Sequence, residues 1–180
     1  MVYLSRQGVQ RLVVGETVII GHGDIAGVLP DRPDRLFFAS GVSNSRETFE
    51  PAYQRERDLL MRQERGAHLV YFSSLCIFYA DTRYAQHKRQ MEYLVQCEFK
   101  QHCIIRLGNI TWGTNPHTLI NFMRGQLARG ETLEIQEAYR YLVDEDEFLY
   151  WVRMVPNFAC EMNIPGQRLK VVEIVKRYVL

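Results

Sequence analysis

No hydrophobic run in these 180 residues approaches the ~20 apolar residues that a membrane-spanning helix requires. Arg6 and Arg11 interrupt the N-terminal apolar stretch, so no secretory signal is expected either. Net charge is nearly absent: +1 at pH 7 leaves no bulk field to draw the chain to nucleic acid or an anionic membrane. The four cysteines, Cys76, Cys97, Cys103 and Cys160, contain no CxxC pair. Cys97, His102 and Cys103 find no fourth ligand at finger-like spacing, so a structural metal site is not expected and buried free thiols are. Internal repeats, low-complexity tracts and domain-separating linkers are missing as well. These absences describe a reduced, cytoplasmic, single domain over residues 1–180. Residues 1–16 are open between an extra strand, a dimer contact and a loose arm.

What is present is an ordinary globular composition, 47% hydrophobic and 24% charged, with enough apolar material for a sizeable core. Strand-length apolar runs alternate with helix-period segments, which argues for an α/β fold with a mostly parallel sheet. Strands are expected at Thr17–Ile20, Leu36–Ala39, His68–Ser73, Cys103–Leu107, Leu133–Ile135 and Tyr139–Val143. A helix is expected from Pro51 to Arg65, stopped by Gly66, with Phe49, Tyr53, Leu59 and Leu60 inward. Its charged run Arg55–Arg65 reads as a solvated face. A second helix, Tyr84–Phe99, turns Met91, Val95 and Phe99 inward. A third starts at Asn115-Pro116 and ends at Gly130, and a fourth is capped by Asp144 and runs to about Met154. Leu169–Val179 is a terminal helix with Val172, Val175 and Val179 on one stripe.

Tyr84 and Lys88 lie four apart on the second helix and share one face. An ammonium there can stabilise a phenolate and bring the hydroxyl toward proton transfer near neutral pH. Ser74, at the carboxyl end of the preceding strand, can hold a substrate oxygen beside that hydroxyl. Only ten residues separate it from Tyr84, and Ser73 takes the role if the register differs by one. Gly21-His22-Gly23-Asp24-Ile25-Ala26 fits G-x-G-x-x-A after a strand and before a possible helix, an arrangement that brings backbone N–H groups to a pyrophosphate. A plain glycine turn is the alternative. The acidic residue expected about 20 positions later is missing, because Asp31 and Asp34 come too early. Asn109, ending the fourth strand, suits a sugar or phosphate, or simply a turn. Arg140, among apolar neighbours, wants a diphosphate or an internal partner such as Asp144 or Asp146.

In this order the motifs resemble the extended short-chain dehydrogenase/reductase family, the NAD-dependent epimerases and dehydratases that act on sugar nucleotides. The similarity begins near Thr17. It takes in Phe37-Phe-Ala-Ser-Gly-Val-Ser43, Val70-Tyr-Phe-Ser-Ser74, Ile105–Gly113, Ala138–Val143 and Asn163-Ile-Pro-Gly166. The resemblance implies a Rossmann-like, mostly parallel sheet flanked by helices, with a small C-terminal substrate lobe from about residue 109. With only 14 residues between Gly21 and Leu36, the second and third βα units are expected to be missing. It further implies Tyr84 as acid/base, Lys88 tuning it and holding a nicotinamide ribose, and Ser74 or Ser73 orienting the reacting hydroxyl. The glycine turn and Ala39-Ser40-Gly41 would hold NAD or NADP, and Asn109 and Arg140 the sugar nucleotide. The implied activity is NAD(P)-dependent reduction or epimerisation of a sugar nucleotide, in surface-polysaccharide biosynthesis, by a homodimer. Leu75 and Cys76, where a dehydratase wants an acid/base pair, argue against dehydration. The competing reading is a non-catalytic sugar-nucleotide-binding module with a degenerate cofactor site.

Overall fold

In the computed structural model the chain is described over residues 17–180, together with the backbone of Leu4–Ser5 and Gly8–Val9, which pair antiparallel. Beyond that pairing, the expectations for residues 1–16 lie outside the described residues. Five strands form one parallel sheet: β1 (Val18–Ile20), β2 (Leu36–Phe38), β3 (Leu69–Ser74), β4 (His102–Leu107) and, skipping two short ones, β7 (Cys160–Ile164). They stand in the order β1-β2-β3-β4-β7. A small mixed sheet stands beside it. There β6 (Tyr139–Val143) pairs in parallel with β5 (Asn109–Ile110) and antiparallel with β8 (Gln167–Lys170). Helices are α1 (Glu50–Met61), α2 (Arg83–Glu98), α3 (Leu119–Ala128), α4 (Glu145–Arg153) and α5 (Val171–Ile174), the last continuing as a π-turn to Val179. The architecture is α/β and Rossmann-like. No helix among the described residues is long and apolar enough to cross a membrane.

The central strands read as unbroken apolar runs because both faces of the sheet are covered. Alternation sends Leu36, Phe38, Leu69, Tyr71 and Ile104 to one face, against Leu60 of α1 and Met91 and Val95 of α2. It sends Phe37, Val70, Phe72, Cys103 and Ile105 to the other, against Phe148 and Val152 of α4. Caps set several boundaries. The Thr82 hydroxyl accepts from the Ala85 N–H at 3.2 Å, and the Asp144 carboxylate accepts from Glu147 N–H at 2.8 Å. Three acidic residues in the first turn of α4 and Arg153 in its last suit the helix dipole.

Several expectations are corrected. No helix follows the glycine turn; Ala26–Val28 makes one 3-10 turn, and residues 21–35 cross directly to β2. Leu133–Ile135 is not a strand, since no neighbour offers it a ladder. α1 stops at Met61 rather than Gly66, and Phe49 is exposed. α3 begins after Thr118, because Asn115 spends its own oxygens on a turn: Oδ1 accepts from His117 N–H, and the carbonyl from Thr118. At the C-terminus Leu169 and Lys170 belong to β8, and the buried stripe is Val171, Ile174 and Val175, with Val172 outward. The charged run in α1 is not uniformly solvated, for Glu56 is completely buried.

Gly166 joins β7 to β8 at φ +67, and a Cβ there would press into the Leu142 carbonyl and within 2.6 Å of Val143 Cα. Gly166→Ala is therefore expected to cost more than about 2 kcal/mol in urea unfolding, from a left-handed backbone plus an immovable neighbour. A loss under ~0.5 kcal/mol, the range of ordinary surface changes, would contradict this.

Candidate active site

Open α/β sheets bind ligands in the crevice outside the carboxyl ends of their strands. Here a cleft of about 860 Å3 occupies that place. Its wall collects His22, Gly23, Asp24 and Ile25 after β1, and Ala39, Ser40 and Gly41 after β2. Ser73 and Ser74 at the end of β3, Tyr84 and Lys88 on α2, Asn109 on β5 and Arg140 on β6 complete the set. Of the residues singled out from the sequence, Gly21 and Ala26 alone do not line it. Ala26 is buried beneath the turn, and Gly21, at φ +132, lets the chain pass so near β2 that a Cβ would meet Ala39 O at 2.5 Å.

Tyr84 is half-buried, and burial pushes its hydroxyl above the ordinary tyrosine range, with Cys76 and Glu56 adding to the shift and the neighbouring Ser74 hydroxyl opposing it. The Ser74 hydroxyl also accepts from Cys76 N–H at 3.3 Å, ending β3 in a 3-10 turn. Ser73, 6% exposed, buries an Oγ that has no hydrogen-bond partner among the described residues. A hydroxyl so placed in a cleft wall is uncompensated until something in the cleft reaches it.

Lys88 does not bond Tyr84; its Nζ lies 5.8 Å from the centre of that ring. Its ammonium donates instead to Glu56 Oε1 at 3.0 Å and Tyr71 Oη at 3.1 Å. Glu56 is the centre of this group. Its other oxygen meets His87 Nε2 at 3.0 Å and accepts from Val42 N–H at 2.6 Å, and Tyr71 donates to Oε1 at 2.8 Å. Burial alone would raise the Glu56 carboxyl, but the Lys88 charge, His87 and the Val42 amide outweigh it and hold the group at about 2. Gly41 passes directly over this cluster; a Cβ there would lie 2.6 Å from Lys88 Nζ. An ammonium has three N–H bonds, so Lys88, with two engaged, keeps one for the cleft. Sequence reasoning missed Glu56, although its spacing from Tyr53 and Leu60 puts it on the buried stripe of α1 (i, i+3, i+7).

The glycine turn is occupied by the protein itself. Asp24 accepts from Thr114 and Asn115 N–H, each at 3.0 Å, and its carbonyl accepts from the Trp112 indole at 3.1 Å. Across the cleft Asn109 donates to Tyr141 O at 3.0 Å. Arg140 donates to Tyr139 O and Gln136 Oε1 and makes no ion pair with Asp144 or Asp146; Asp144 caps α4 instead. Arg106, next to the Asn109 segment, is structural. It forks onto Glu92 at 2.7–3.1 Å and reaches Glu161 at 2.7 Å. Arg46, Arg55 and His117 also line the cleft and carried no sequence signal.

Solved structures of known activity share this arrangement of elements. UDP-glucuronic acid 4-epimerase from Bacillus cereus, in complex with NAD and UDP-4-deoxy-4-fluoro-glucuronic acid, superposes with a TM-score of 0.64 at 12% identity, over 79% of this chain and 57% of its own. UDP-glucose 4-epimerase from Thermotoga maritima, with UDP-glucose, gives 0.62 at 16%, over 81% and 60%. The capsular polysaccharide assembling protein CapF of Staphylococcus aureus gives 0.53 at 19%, over 79% and 43%. The fold is that of the NAD-dependent sugar-nucleotide epimerases and dehydratases. At these identities the likeness is one of fold, and the chain spans about half the length of the proteins it matches. No family model and no curated protein sequence matches the chain.

Proposed function

We propose that the cleft binds a sugar nucleotide beside the nicotinamide end of NAD or NADP, and that Tyr84 exchanges a proton with a sugar hydroxyl during oxidation, reduction or epimerisation. The observation that carries this reading is convergence: phenol, ammonium and strand-end hydroxyls from β3 and α2 line one cleft together with Asn109 and Arg140. The nicotinamide end fits. Lys88 retains a free N–H, Ser73 an unpartnered hydroxyl, and Gly41 a bare backbone against Lys88. The adenosine end has less to hold it, since residues 21–35 form no helix and the carboxylate of Asp24 is taken up by the Thr114 and Asn115 amides. A bound nicotinamide supplies the hydride acceptor or donor. Ser74 orients the reacting hydroxyl and Tyr84 receives or returns its proton. Arg140 and Asn109 hold the diphosphate and sugar. Placement in polysaccharide biosynthesis follows the company this fold keeps.

Calorimetric titration with NAD(H), NADP(H) and UDP-sugars tests the reading. Dinucleotide binding tighter than millimolar is expected, and none below that concentration would remove the redox role. Arg140→Ala should weaken UDP-sugar binding by about 1.5–3 kcal/mol, as for a lost charge-assisted bond. A changed melting temperature with unchanged affinity would make Arg140 structural. A second reading, a module that binds a sugar nucleotide without redox chemistry, is favoured by one observation: the glycine turn has no helix behind it.

A further inference from the structure

In the dinucleotide-binding turn of an open α/β sheet, the pyrophosphate is held by backbone N–H groups at a helix N-terminus. Here that device is missing. The turn runs into a single 3-10 turn, and its Asp24 places a carboxylate at the cleft wall, the sole one among the described lining residues. A diphosphate approaching the turn meets negative charge instead of a helix dipole.

Positive charge in the cleft comes from other elements. Arg55, midway along α1, is anchored to the loop after β2 by bonds to Ser40 Oγ at 3.2 Å and Ser40 O at 3.1 Å. Arg46, in the loop before α1, lies over the Phe122 ring of α3 at 4.5 Å. Neither makes an ion pair among the described residues, and both line the cleft. Exposed arginines commonly find a carboxylate or swing free in water; these two are oriented by contacts that leave their charge unanswered. Such pre-oriented guanidinium forks match phosphate oxygens bidentately. Ser73 adds the second sign of a ligand, an Oγ more than nine-tenths buried in the same cleft wall with no partner among the described residues.

We propose that Arg46 and Arg55 form a diphosphate clamp that takes over the anion-holding task the glycine turn cannot perform. The clamp rests on the reading that the cleft takes a nucleotide ligand. A dinucleotide and a sugar nucleotide both carry a diphosphate, so the ligands are tested separately.

Inorganic pyrophosphate, UDP and NAD are titrated calorimetrically at low salt into the wild type, Arg46→Ala, Arg55→Ala, the double variant and Arg62→Ala. Arg62 is an exposed arginine just past α1, outside the cleft, and controls for net charge. Each cleft variant should weaken pyrophosphate binding about ten-fold and the double variant about a hundred-fold, while Arg62→Ala changes it by less than about two-fold. The same loss with NAD assigns the clamp to the dinucleotide; loss with UDP alone assigns it to the sugar nucleotide. Affinities in the cleft variants that match the control, or a wild type that binds none of the three, overturn the clamp. NAD failing to bind while UDP binding stays arginine-dependent removes the redox reading and keeps the clamp. NAD and UDP binding that are both arginine-independent do the reverse.

Discussion

Tyr84→Phe is expected to lower turnover of a sugar nucleotide by about 10²–10⁴-fold, the contribution of a positioned general acid/base. Binding of NAD and of UDP should stay within about two-fold, since a phenyl ring keeps the volume and loses only the proton-transferring atom. The expectation stands on where burial leaves the hydroxyl. Desolvation and the neighbouring Cys76 and Glu56 raise its pKa, so it is protonated throughout the neutral range. In that state Tyr84 is ready to give a proton, the task of a reductase. To take one, it needs positive charge brought closer. Lys88 is the available cation, yet its ammonium is engaged by Glu56 and Tyr71. Oxidation of a sugar hydroxyl should therefore accelerate with rising pH, while reduction of a ketosugar should not. Retained turnover in Tyr84→Phe would take the tyrosine out of the chemistry, and steady-state kinetics in both directions decides it.

What could be read from residues alone was whatever a short window contains. β3 and β4 carry apolar residues on both faces, so they stand out without any knowledge of partners. Tyr84 and Lys88 share a face by helical geometry, and Ser73 and Ser74 are placed by the strand that carries them. Those pieces brought the cleft into view before its walls were known. Other features depend on segments far apart in the chain. Asp24 is committed to amides ninety residues on, and nothing in Gly21–Ala26 signals that it will not start a helix. Glu56 looks like one more charge in an acidic-basic run. Its burial is compensated by Val42, Tyr71, His87 and Lys88, drawn from three other segments. Arg46 is defined by Phe122, and Arg140 by the absence of the carboxylates that sequence proximity offered. Leu133–Ile135 has strand composition without a strand to pair with. In each case a local pattern was overridden by a contact made, or not made, across the sheet.

Glu56→Gln should be the most damaging single change to stability. The glutamine keeps the shape of the side chain but removes the charge that Lys88 and His87 face in a site closed to water. Breaking one side of a buried ion pair costs about 3–5 kcal/mol. A domain of this size loses roughly 2–4 °C per kcal/mol, so the midpoint should fall by roughly 6–20 °C. The pH dependence separates this from a generic packing defect. Because the folded carboxyl sits at about 2, below its ordinary 4.5, the charged form is the one that stabilises. That contribution is complete above pH 4.5 and is lost as pH falls from 4.5 toward 2. A protonated glutamic acid resembles glutamine, so wild type and variant should converge in stability through that window and differ fully at pH 7. A gap of constant size from pH 7 down to 2.5 in urea titrations would show that the charge is not what Glu56 contributes. Freed of its counter-charge, Lys88 would also bear more strongly on Tyr84. The variant's oxidation limb should then shift to lower pH even as its stability falls, an opposition that simple unfolding cannot produce.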